Sequence, residues 1–82
     1  MNTRKILKAY REEFDERIKY EFPHPISFAN KFLASMIYQA MRLSEFMHFQ
    51  ETSHFLYRAY VTLLKELKQG VNHEDRRRTI RG

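Results

Sequence analysis

Three stretches of the chain repeat apolar residues at helical spacing, and the first covers residues 3–21. One side of this stretch carries an apolar stripe and the other is filled with charged residues, which is the pattern of an amphipathic surface helix. The stripe consists of Ile6, Leu7, Tyr10, Phe14 and Ile18. Pro23 and Pro25 lack an amide hydrogen and disfavour helical geometry in the residue before them, so we expect the first helix to end before Pro23.

The second stretch, residues 28–50, is apolar around most of its circumference. Ser27 precedes it and is predicted to cap it, because its hydroxyl can accept a hydrogen bond from a first-turn amide. Six residues then follow alternating steps of four and three, which is the spacing of a heptad seam: Ala29, Leu33, Met36, Ala40, Leu43 and Met47. Further apolar residues flank this heptad seam, so we expect the seam to form the core and the second helix to be central.

The third stretch, residues 53–69, has a stripe of Leu56, Tyr60, Leu63, Leu64 and Leu67, and Gly70 is predicted to end it. This stripe is about 100° out of register with the heptad seam. We therefore place a break at residues 50–53, with Thr52 or Ser53 as the cap, although a single long helix over 28–69 stays an alternative. The predicted fold is all-α: a small unit of three helices within residues 1–70, followed by an Arg-rich tail over 71–82.

The small size of the chain limits its core. Its 82 residues make one domain at most, and the absence of cysteine leaves neither disulfides nor a thiolate zinc site to compensate. Assembly with another chain is therefore expected. The N-terminus is charged where a secretory signal would be apolar, and no apolar run approaches the ~20 residues that span a bilayer. We expect a cytoplasmic protein without a membrane partner.

The net charge is +5, and most of the excess lies in residues 52–82. Positive charge steers association with phosphates, so nucleic acid is an alternative partner. The candidate phosphate contacts are Arg4, Lys5, Lys8, Arg76, Arg77, Arg78 and Arg81. A solvated helix face followed by a solubilising tail is the simpler interpretation of the same residues.

Residues with catalytic or metal-binding chemistry are sparse. None of the histidines forms the i, i+4 pair with which a helix binds a metal ion. His48 and His54 lie on either side of the predicted helix break. The chain has two glycines, too few for a Gly-rich phosphate loop. We expect no catalytic residue, no metal and no cofactor, and therefore not an enzyme.

The expected function is protein binding. The second helix offers more apolar surface than two helices cover, and aromatic residues such as Tyr38 and Phe49 fall on its polar side, as in protein-binding surfaces. The predicted interface residues are Phe32, Met36, Tyr38, Leu43, Phe46 and Phe49. The sequence thus predicts a small interaction module, a regulator or inhibitor that occupies a partner's surface or forms a homodimer.

Overall fold

The computed structural model describes residues 2–69 and folds them into three α-helices. They are α1 (Thr3–Glu21), α2 (Phe28–Phe46) and α3 (Gln50–Lys68). No strand is present in this part of the chain, so the predicted all-α, three-helix fold is confirmed. The predicted tail and the predicted helix end at Gly70 lie outside the described residues.

The ends of α1 and the start of α2 follow from local sequence. Asn2 caps α1, since its side-chain oxygen accepts a hydrogen bond from the Arg4 amide at 3.0 Å. The helix ends at Glu21, before Pro23, as predicted. Ser27 caps α2 as predicted, because its hydroxyl accepts a hydrogen bond from the Asn30 amide at 3.2 Å.

The turn between α2 and α3 closes in the manner of a Schellman motif. The Phe49 amide donates to the Ser44 carbonyl at 2.9 Å, and the His48 amide donates to the Glu45 carbonyl at 3.0 Å. His48 has a φ of 65°, the left-handed conformation that glycine usually supplies in this motif. Helices α2 and α3 are therefore separate.

The predicted position of this break, residues 50–53, is wrong. Helix α3 already begins at Gln50, and Phe49 is its N-cap without a side-chain cap hydrogen bond. Ser53 lies inside α3, where its side chain is buried and its amide donates to the Phe49 carbonyl at 2.9 Å. Neither Thr52 nor Ser53 is the cap, because the turn at His48 ends α2 early and both residues already lie inside α3.

The core lies where α1 and α3 pack against the same side of α2, which we call its inner face. It is built from Phe14, Ile18, Ala34, Tyr38, Met41 and Tyr60. The Phe14 ring is completely buried, with its centroid 5.9 Å from that of Tyr38 and 6.4 Å from that of Tyr60. Both neighbouring helices pack on α2, so its predicted central position is confirmed.

The prediction that the heptad seam forms the core is wrong. Leu33, Met36 and Met47 are about half exposed, and Ala29 and Ala40 are exposed. The inner face instead buries small side chains, Ala34, Ser35 and Ser44, together with Tyr38 and Met41. Small side chains let neighbouring helices approach closely, and the aromatic ring of Tyr38 fills the space between them.

Candidate functional site

The side of α2 that faces away from α1 and α3 forms a continuous apolar surface. This outer face of α2 comprises the heptad seam and three phenylalanines beside it, Phe28, Phe32 and Phe46. At about 100° per residue these nine residues span about 140° of the helix circumference. The arc contains no charged residue, and Gln39 is its one polar residue.

The large side chains of the outer face are accessible. Their exposed fractions are 83% for Phe28, 56% for Phe32, 49% for Leu33, 53% for Met36, 42% for Phe46 and 50% for Met47. At about 200 Å² for a fully exposed large apolar side chain, they present roughly 600–700 Å². Patches of this size on a single chain mark sites of interaction.

All charged residues of α2 lie on the side of the helix away from the outer face, and each of them forms an ion pair. Lys31 lies 4.0 Å from Asp15 of α1, measured from Nζ to Oδ1. Arg42 donates from Nη1 to Glu45 Oε1 at 2.6 Å, and its Nε lies 2.9 Å from Glu13 Oε1 on α1, an ion pair without hydrogen-bond geometry. These contacts hold the charges of α2 toward α1 and leave the outer face uncharged.

Tyr38 is not available as an exposed anchor, which corrects its predicted place on the interface. Its side chain is 2% exposed, and its hydroxyl donates a hydrogen bond to Glu13 Oε1. Burial and this hydrogen bond raise the pKa of Tyr38 to about 12. Tyr38 therefore belongs to the contact between α1 and α2.

Three of the other predicted interface residues, Phe32, Met36 and Phe46, are exposed together on the outer face, and Leu43 lies half-buried among them. Phe49 lies at the α2–α3 turn and is 54% exposed. Sequence reasoning missed Phe55 of α3, which is 74% exposed. Phe55 precedes Leu56 of the α3 stripe in the sequence, and a single aromatic residue next to an apolar stripe does not by itself indicate a binding surface.

His48 of the α2–α3 turn and His54 of α3 line one shallow surface depression together with Glu45, Gln50, Ser53 and Tyr57. The two histidines that flank the predicted helix break thus line the same depression. Within residues 2–69 no three His, Asp or Glu side chains are grouped so that they could hold a metal ion. None of the helices in that range is long and apolar enough to cross a membrane.

The candidate phosphate contacts are divided between two parts of the chain. Arg4, Lys5 and Lys8 are exposed on the first turns of α1, and no ion pair within residues 2–69 includes them. The arginines of the tail, Arg76, Arg77, Arg78 and Arg81, lie outside the described residues. The described surface thus provides three of the seven predicted contacts.

The chain matches no protein-family model, and comparison with curated proteins and with solved structures found no match. Inference about function therefore depends on the surface chemistry of the described residues. The outer face of α2 carries six of the ten large apolar side chains that are exposed within residues 2–69, and it carries most of the predicted interface.

Proposed function

We propose that this chain is a small non-enzymatic protein-interaction module that makes its contact through the outer face of α2. It acts as a regulator or inhibitor by occupying the surface of a partner protein. The residues that carry the contact are Phe32, Met36, Leu43 and Phe46, and Phe49 extends it at the turn.

The observation that supports this function is the complete separation of charge from the outer face. Lys31, Arg42 and Glu45 are the charged residues of α2, and each forms an ion pair away from that face. A solvated helix face usually carries charged side chains, whereas the centre of a protein interface is depleted of them and enriched in aromatic residues and methionine. The outer face has the second composition.

A capture experiment with matched variants tests this function. The tagged wild-type chain, Met36→Glu and Phe55→Glu are each used to capture proteins from an extract of the native host. Both substitutions place the same charge at an exposed apolar position, and Glu favours helices, so both variants should fold. Far-UV circular dichroism verifies that they do.

We expect a protein that is retained by the wild type and by Phe55→Glu to be lost with Met36→Glu, because burying an unpaired charge at the contact is costly. An apolar contact should also persist as the salt rises from about 50 to about 200 mM. A partner that both variants retain equally would refute the outer face as the contact surface.

Nucleic-acid binding is the second candidate, favoured by Arg4, Lys5 and Lys8, which are exposed and form no ion pair within residues 2–69. In that case affinity for a labelled duplex should fall by orders of magnitude between about 50 and about 200 mM salt, because phosphate contacts release counterions. Removing residues 72–82 should flatten this dependence. Tight, salt-sensitive duplex binding that is lost on this truncation would favour the second candidate over the first.

A further inference from the structure

We propose that the outer face of α2 is covered by the same face of a second copy of this chain, with the two α2 helices antiparallel about a two-fold axis level with residue 38. This inference rests on the proposed function, in which the outer face is the contact surface: the second copy covers that face in the free protein, and a partner protein takes its place on binding. The inference also assigns the direction and the register of the pair.

The first argument is the order of large and small residues along the heptad seam. In an antiparallel pair centred on residue 38, position 33 faces position 43 of the second copy, so Leu33 packs against Leu43. In the same register Met36 faces Ala40, and Ala29 faces Met47. Each large methionine thus meets a small alanine, which fills the space between the helices evenly.

A parallel pair would place each residue of the heptad seam against the same residue of the second copy. Met36 and Met47 would then form crowded layers, and Ala29 and Ala40 would form layers with empty space between the helices. Both overpacking and voids destabilise an apolar contact. The antiparallel direction also sets the α2 helix dipoles in opposite directions, which is the favourable arrangement for neighbouring helices.

The second argument is area. The large side chains of the outer face present roughly 600–700 Å² per chain before the alanines, Leu43 and Gln39 are added. A stable protein–protein contact of standard size buries about 800 Å² per partner. The face is thus large enough to support a dimer. The face itself contains no charged residue, so the pairing does not set like charges of the two outer faces against each other.

Within residues 2–69, the fold leaves the face open to a second copy. Both α1 and α3 pack on the inner face of α2, and the buried residues of α2 are Ala34, Ser35, Tyr38, Met41 and Ser44. A second α2 can therefore approach the seam without displacing either neighbour. Together the two copies form two layers of helices on either side of a central α2 pair.

Disulfide trapping tests both the occupant and the direction, since the chain contains no cysteine of its own. Leu33→Cys and Leu43→Cys are prepared separately and then oxidised alone and as a mixture. In the antiparallel pair the two copies of position 33 are about 15 Å apart along the helix axis. A disulfide requires Cα atoms within about 7 Å.

We expect a disulfide-linked dimer in the mixture and little from either variant alone. Efficient cross-linking of each variant with itself would overturn the antiparallel direction. No cross-linking in any sample, with a monomeric mass for the wild type, would overturn the second copy as occupant.

Sedimentation equilibrium separates a failure of this inference from a failure of the proposed function. The wild type and Phe55→Glu should be dimeric, and Met36→Glu should weaken the dimer by about 100-fold or more because it buries an unpaired charge. If the wild type is monomeric and Met36→Glu still loses the host partner, the dimer is refuted and the proposed function is not. If the dimer depends on Met36 but no host partner does, the proposed function is refuted and the dimer is not.

Discussion

Replacing Phe14 with alanine should remove a large part of the stability of this fold. The Phe14 ring is 0% exposed and lies against the rings of Tyr38 and Tyr60, one on each neighbouring helix. Truncating a buried phenylalanine costs about 3–5 kcal/mol. A domain of this size has a free energy of unfolding of about 4–12 kcal/mol. The variant is therefore expected to lose between about a quarter and all of its free energy of unfolding.

Urea denaturation followed by far-UV circular dichroism measures this loss, at a chain concentration low enough to exclude dimer. Phe14→Leu keeps most of the side-chain volume and should cost about 1 kcal/mol, which provides a measurable value if Phe14→Ala does not fold. Phe55→Ala is the matched control: the same substitution at an exposed helical site, expected to change stability by about 0.5 kcal/mol or less. Equal losses for Phe14→Ala and Phe55→Ala would show that the core is misplaced.

Two further predictions concern Tyr38 and His48. Tyr38 holds its proton more tightly when folded, with a pKa of about 12 against 10.0 for a free tyrosine, so its stabilising contribution is complete below pH 10 and is lost as the pH rises through 12. Denaturation at a series of pH values should show the stability advantage of the wild type over Tyr38→Phe shrinking across that range, and a constant difference would contradict it. His48→Gly should raise the melting temperature and increase the free energy of unfolding by up to about 1 kcal/mol, because glycine adopts the left-handed conformation without strain. His48→Ile should lower it, and melting temperatures unchanged in both variants would show that residue 48 is not left-handed.

The helix ends that depend on neighbouring residues were predictable from sequence. Pro23 stops α1, and Ser27 starts α2 through a hydrogen bond to an amide three residues away. Each of these effects is determined within a few residues of chain. The α2–α3 break was placed too late because the turn contains no glycine, and a histidine in the left-handed conformation leaves no clear mark in the sequence.

The choice between the two faces of α2 was not predictable from its own sequence. Both sides of α2 carry apolar residues, and the heptad seam has the larger side chains and the more regular spacing. The inner face is selected by contacts from outside α2, above all Phe14 and Glu13, which provide a ring and a hydrogen-bond acceptor for Tyr38. Tyr38 and Glu13 are 25 residues apart, so the pairing that buries this hydroxyl depends on the tertiary fold.

The solvent accessibility of the methionine methyl groups tests most directly the central claim, that α2 has one face in the core and one face for contact. Met41 lies in the core, and Met36 and Met47 lie on the outer face. With ¹³C-labelled methionine and a soluble paramagnetic agent, the Met41 methyl should stay protected at every chain concentration. The Met36 and Met47 methyls should be accessible in dilute samples and become protected as the concentration rises. A Met41 methyl as accessible as that of Met36, or outer-face methyls equally accessible at all concentrations and with every captured partner, would contradict the claim.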